Sequence, residues 1–263
     1  MDLNTGGSDD MFTKGEPDLS RARGAKAQRR REQYQAVENT IDFHQAARLP
    51  QKTPELIPKT RGQERLVLSL LDRDIDITVA VGPAGTGKTY LAMQAAIRCL
   101  KSRQIDRLIL TRPAVGVEDE RHGFLPGDLI SKMEPWTRPL LDVLREYYHP
   151  RDIARMLDEQ TIEIAPLAYM RGRTFKNSWI VADEMQNATP AQVKMLMSRI
   201  GQGSRIAITG DVEQADRSSA DNGLRDLTER LNKHAVEGIN LVALCHKDTQ
   251  RHPLITSILQ LYQ

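Results

Sequence analysis

The stretch Thr78-Val-Ala-Val-Gly-Pro-Ala-Gly-Thr-Gly-Lys-Thr-Tyr-Leu-Ala92 decides the fold. Gly82 to Thr89 spells G-x-x-x-x-G-K-T, a complete phosphate-binding loop. Ahead of it, Ile75-Asp-Ile-Thr-Val-Ala-Val81 is a β-branched run that reads as a buried strand. Behind it, Tyr90 to Leu100 is rich in helix formers. Strand, glycine loop and helix together are the setting the motif needs. Glycines let backbone N–H groups curl around phosphate oxygens, and the helix N-terminus adds partial positive charge. The expected nucleotide contacts are therefore Gly82, Pro83, Ala84, Gly85, Thr86, Gly87, Lys88, Thr89 and Tyr90. Lys88 would bridge the outer phosphates, and the Thr89 hydroxyl would ligate Mg²⁺.

Downstream, Trp179-Ile-Val-Ala-Asp183-Glu184 is an apolar strand ending in two carboxylates, the Walker B pattern. Asp183 is expected to hold Mg²⁺, and Glu184 to orient and deprotonate an attacking water. Arg205 to Asp211 is another strand, followed by Val212-Glu-Gln214, and Gln214 could contact the γ-phosphate or that water. Upstream, Gly62 to Leu71 has helical apolar spacing, with Gln63 near its start. A Gln amide can pair with the N6 and N7 edge of adenine, although a solvated Gln is the plainer reading of the residue by itself. Arg107 to Arg112 reads as a second strand whose end, Thr111-Arg112, is well placed for a ligand.

Further strands are expected at Thr161–Ala165 and Ile239–Leu244. Helices are expected around Leu140–Tyr148, at Asp152–Asp158, at Ala191–Ile200 behind a Thr189-Pro190 start, at Asp221–Leu231 and at Pro253–Leu261. Gly116 to Gly127 reads as a loop with a hydrophobic plug at Phe124-Leu125. Alternating strands and helices give an α/β fold, a mostly parallel sheet covered on both faces.

The chain has 263 residues and 40% hydrophobic content, enough for one α/β domain plus an extension. Its 37 basic and 35 acidic side chains give a net charge of only +2, so bulk charge implies no partner. Local charge does: Arg21-Ala-Arg-Gly-Ala-Lys-Ala-Gln-Arg-Arg-Arg31 is basic throughout, and is either an arm for nucleic-acid phosphates or a solubilising tail. Residues 1–20 lack periodicity and are expected to be disordered. The prolines at 50, 54 and 58 mark a linker, which divides the chain into a basic arm and linker, 1–53, and a P-loop domain, 54–263. Cys99 and Cys245 each lie in an apolar stretch and are expected to be buried free thiols in a reducing compartment. No apolar run approaches the ~20 residues of a membrane span, and the N-terminus lacks a signal-peptide pattern, so a cytoplasmic location is expected.

Segments 82–90, Thr111-Arg-Pro113, Gly123-Phe-Leu-Pro-Gly-Asp-Leu129, Ala165-Pro-Leu-Ala-Tyr-Met-Arg-Gly-Arg-Thr-Phe175, Asp183-Glu-Met-Gln-Asn187 and Thr209-Gly-Asp-Val-Glu-Gln214 form one set. Together they resemble the PhoH family. The resemblance runs from about residue 60 to the end. It implies a RecA-like domain similar to that of superfamily 1 helicases, with ATP and Mg²⁺ as ligands. It also implies Gln63 as the adenine reader, Asp183 and Glu184 as metal and water-activating acids, and Gln214 as the G-D-x-x-Q glutamine. Arg251 in Arg251-His-Pro-Leu254 resembles a tail arginine that could act as a finger between subunits, as in hexameric relatives; Arg171 and Arg173 are rivals. Met185 stands where the family usually has Ala and His122 where Leu is common, and neither alters charge chemistry. The chain has room for only one such domain, so translocation would require assembly with copies of itself or with another protein. The resemblance implies a homo-oligomer, a hexamer as in those relatives, acting on RNA or another single strand.

Three function classes share the loop: an ATPase, a small-molecule or nucleotide kinase, and a nucleotide-gated binding module with little hydrolysis. Glu184 directly after Asp183 suits water activation and favours the ATPase. No lid-like arginine cluster supports a kinase.

Overall fold

The computed structural model describes residues 52–113, 138–214 and 222–250. The basic arm, the Gly116–Gly127 loop, Arg251 and the expected helix at Pro253–Leu261 lie outside the described residues. The order of elements is α1 (Arg61–Leu71), β1 (Ile77–Val81), α2 (Lys88–Lys101), β2 (Arg107–Thr111), helical residues 138–145, α3 (Pro150–Asp158), β3 (Ile162–Ile164), β4 (Ser178–Ala182), α4 (Pro190–Met197), β5 (Arg205–Gly210), α5 (Gly223–Lys233) and β6 (Ile239–Ala243). Short 3₁₀ turns stand at Leu167–Met170, Met185–Asn187 and His246–Asp248.

The six strands form one sheet in the order β3-β2-β4-β5-β1-β6, and every pairing is parallel. Parallel strands need crossovers, and the helices that supply them bury both faces of the sheet. Side chains alternate between the two faces accordingly. Ala80, Leu108, Leu110, Trp179 and Val181 pack with α1 and α2, whereas Ile77, Val79, Ile109, Ile180, Ile206 and Ile208 pack with α4 and α5. All five residues of β1 and of β4 are buried, which is why both read as continuous apolar runs rather than alternating ones.

Local signals act as their chemistry requires. Thr60 caps α1 by accepting from the Gln63 N–H. Thr189 and Gln192 form a reciprocal capping box around α4, with Pro190 in its first turn. Pro150, which interrupts the preceding helical stretch, opens α3 behind a His149 cap, so that helix starts two residues before the expected Asp152.

One expectation fails. Cys99 is buried, but Cys245 is exposed. Cys245 follows β6, an edge strand that is only half covered, so the apolar run there lacks a second neighbour. Burial pushes the Cys99 thiol up, and the nearby Arg205 and Arg98 partly offset this.

Candidate functional site

The phosphate loop leaves the carboxyl end of β1 between Val81 and Lys88, where ligands bind in open α/β sheets. Its glycines are needed there. Gly82 has φ +143°, and a Cβ on it would lie 2.4 Å from the Leu244 carbonyl oxygen. Gly87, with φ +82°, forms the N-cap of α2 and leaves the first N–H groups of that helix facing the loop. Lys88 is buried, and its ammonium donates to the Gly82 and Pro83 carbonyls at 2.6 and 2.8 Å. These carbonyls hold the cation inside the loop, where an arriving phosphate would meet it.

Strand β5 lies between β1 and β4, so the ends of three strands converge beside the loop. Asp183, immediately after β4, is buried. Its Oδ1 accepts from the Thr89 hydroxyl at 2.6 Å and from the Thr209 hydroxyl, at the end of β5, at 2.7 Å. Glu184 is half-exposed and has a left-handed backbone, φ 53°. Gln186, buried below it, donates to Glu184 Oε2 and accepts from the Asp211 N–H at 3.1 Å. The water-facing acid is thereby tied to the loop after β5. Arg112, at the end of β2, pairs with both acids, at 3.3 Å from Asp183 Oδ2 and 2.9 Å from Glu184 Oε1.

These groups surround a cleft of about 270 Å³, lined by Ala84, Gly85, Gly87, Lys88, Thr89, Tyr90, Asp183, Glu184, Asp211 and Gln214. The structure therefore brings together most of the residues singled out in the sequence, including the exposed Gln214. A larger cleft of about 610 Å³ lies at the amino-terminal ends of the strands, lined by Arg73, Arg98, Trp179 and Arg205, among others. It carries no phosphate loop and no acid pair; donor chemistry, rather than size, marks the smaller one. Thr89, Thr209 and Asp183 offer hard oxygen donors that fit Mg²⁺, and no cluster of three metal-binding side chains stands among the described residues. Such a donor set suits a cation that shares its coordination with phosphates and water.

Other expected residues are placed differently. Gln63 is buried behind the loop rather than solvated, donating to the Thr86 carbonyl at 3.0 Å and accepting from the Lys59 N–H at 2.8 Å. One amide hydrogen and one lone pair remain for a base. Tyr90 turns its hydroxyl to Glu146 at 2.8 Å, and burial together with its hydrogen bonds raises its phenol well above the usual value. Arg173 is held by Glu163 through both terminal guanidinium nitrogens and covers the Phe175 ring, whereas Arg171 is exposed. The Gln250 N–H, just before Arg251, donates to the Gly85 carbonyl at 2.8 Å, so the described chain ends against the phosphate loop.

A family model described as PhoH-like protein matches residues 55–263. The chain belongs to the PhoH-like protein family. Curated PhoH-like proteins agree with that: one from Synechocystis is 39% identical over 94% of this chain and 73% of its own length. One from Bacillus subtilis is 45% identical over 78% of this chain and 63% of its own length. Protein PhoH of Escherichia coli is 39% identical over 70% of this chain and 52% of its own length. The chain thus spans between about half and three-quarters of these PhoH-like relatives. The Sulfolobus solfataricus SWI2/SNF2 ATPase core in complex with dsDNA aligns with TM-score 0.38 and 17% identity, over 69% of this chain and 40% of that one, too remote to bear on the site. In fold this PhoH-like chain is an α/β domain, a six-stranded all-parallel sheet with a phosphate loop after β1. No helix among its described residues is long and apolar enough to cross a membrane.

Two residues that matter to this geometry are not evident from the sequence. Thr209 reaches Asp183 only through a tertiary contact, and Gln186, a near neighbour of Glu184 in sequence, is fixed by a tertiary contact with Asp211. The one local hint is that each sits within two residues of a strand's carboxyl end or of Glu184.

Proposed function

We propose that the chain is a Mg²⁺-dependent ATPase that cleaves ATP to ADP and phosphate and couples this to RNA or another single strand as a homo-oligomer. The observation that carries the reading is the convergence of Lys88, Thr89, Asp183 and Glu184 on one cleft. Thr89 and Asp183 would hold Mg²⁺, which supplies charge neutralisation on the phosphates. Lys88 exchanges the Gly82 and Pro83 carbonyls for phosphate oxygens, and the N–H groups at the start of α2 add to its charge. Glu184, held at one oxygen by Gln186, takes the proton of the attacking water, and Gln214 orients that water. Gln63 reads the adenine edge from behind the loop. Arg251 serves as the finger across a subunit interface, in preference to Arg173, which is already committed to Glu163. The basic arm, residues 1–53, contacts nucleic-acid phosphates.

The test is inorganic phosphate release by the full chain with MgATP, with and without single-stranded RNA or DNA. Release that rises with a single strand, and loses that rise when residues 1–40 are deleted, is expected. Transfer of phosphate to an acceptor in place of free phosphate would assign the chain to the kinases instead.

A further inference from the structure

β2 and β4 end in register, with Thr111 opposite Ala182, and the Asp183 N–H donates to the Thr111 carbonyl at 3.0 Å. That pairing sets Arg112 beside the acid pair at the top of the sheet. Its Nη2 lies within ion-pair distance of both carboxylates, 3.3 Å from Asp183 and 2.9 Å from Glu184. The arginine side chain is only 18% exposed, so this cation is partly shielded from solvent. The remaining oxygens also have donors: Thr89 and Thr209 at Asp183 Oδ1, and Gln186 at Glu184 Oε2. Each oxygen of the pair therefore has a protein donor.

We propose that Arg112 is a built-in counter-cation that closes the Asp183–Glu184 pair to free divalent metal, so that metal enters only together with a nucleotide's phosphates. The inference rests on the nucleotide site described above. Two adjacent carboxylates at a cleft would by themselves attract a divalent cation. A guanidinium already bound to both satisfies that charge and repels a second cation a few ångströms away. The pair is also short of ligands, since no third acid, His or Cys joins it among the described residues. A triphosphate changes the balance by adding enough negative charge and enough oxygen ligands to hold the metal and the guanidinium at once. Arg112 is thus a positioning residue, acting through the two acids. Its effect is to make nucleotide and metal arrive as a unit, rather than leaving a metal-loaded site without substrate.

The experiment is Mn²⁺ binding to the nucleotide-free full chain, followed by electron paramagnetic resonance of the unbound ion. Arg112→Gln, which removes the charge, is expected to bind Mn²⁺ at least about tenfold more tightly than wild type. Arg112→Lys, which keeps the charge, is expected to stay near wild type. Unchanged or weaker Mn²⁺ binding by Arg112→Gln overturns the proposal, and so does tightening of equal size in Arg112→Lys. A measurement on the wild type guards against a variant that fails to fold. Mg²⁺ alone should leave its melting temperature unchanged, while Mg²⁺ with a non-hydrolysable ATP analogue raises it. A rise with Mg²⁺ alone as large as that with the analogue contradicts the proposal. Failure of the nucleotide reading has a separate signature: no rise with the analogue, with the Mn²⁺ comparison unaffected.

Discussion

The Thr89 hydroxyl donates to Asp183 Oδ1 at 2.6 Å, so the helix that follows the phosphate loop and the strand that carries the acids meet at a single oxygen atom. The Thr209 hydroxyl reaches the same atom from the strand between them. Two strand ends and one helix start are thereby fixed relative to one another before any ligand binds, which is the preorganisation an electrostatic site depends on.

Gln186 should matter to turnover more than to binding. Gln186→Ala removes the donor to Glu184 and leaves the buried Asp211 N–H without its acceptor. We expect kcat to fall about ten- to hundredfold, with KM for MgATP changed only a few fold, and stability to drop by about 1–3 kcal/mol. Steady-state kinetics beside denaturant unfolding check this. A raised KM at constant kcat would speak against a positioning role.

Gln63 is predicted to have two measurable effects. Its amide holds the Thr86 carbonyl of the phosphate loop and retains one donor and one acceptor for a base. Gln63→Ala should weaken ATP binding and also narrow the preference for ATP over GTP in a competition assay. If affinity falls equally for both nucleotides, Gln63 supports the loop without reading the base.

Gly82 tests the loop's backbone. Its φ of +143° and the Leu244 carbonyl 2.4 Å from a Cβ leave no room for Ala. Gly82→Ala should cost about 1–3 kcal/mol from backbone strain, with loss of nucleotide binding. Calorimetry on folded variant protein measures both, and wild-type affinity in that variant would contradict the geometry.

Asp248 provides a pH-dependent tether. Burial pushes its carboxyl up, but hydrogen bonds from Thr60 and from the Cys245 and Gly62 N–H groups outweigh this and hold it below the ordinary Asp value. A lowered folded value means the tether stabilises the fold above the unfolded Asp pKa, about 3.9, and is lost as pH falls through the folded value. The gap in melting temperature between wild type and Asp248→Ala should therefore be constant above about pH 5 and shrink below about pH 4. A gap that widens on acidification would refute the assignment.

Much of this architecture is legible in the chain because its signals are local. The β-branched runs at Ile77–Val81 and Ser178–Ala182, the glycines between Val81 and Lys88, and Thr189-Pro190 each specify their own segment. What the sequence hides is pairing across the sheet. Arg112 meets Asp183 and Glu184 only because β2 and β4 stop in register, and Thr209 meets Asp183 only because β5 is inserted between β1 and β4. Cys245 illustrates the same point in reverse: an apolar neighbourhood in sequence becomes exposed when its strand is an edge. Arg173, equivalent to Arg171 on paper, is distinguished by Glu163, which β3 brings to it.

In the proposed reaction Glu184 activates water for attack on a triphosphate held by Lys88 and Thr89. The most direct measurement is ATP bound and phosphate released by Glu184→Gln in the same sample, beside wild type. The variant is expected to keep MgATP affinity within a few fold while phosphate release falls by about a hundredfold or more. Phosphate release at the wild-type rate by Glu184→Gln, with ATP bound equally well, would contradict it.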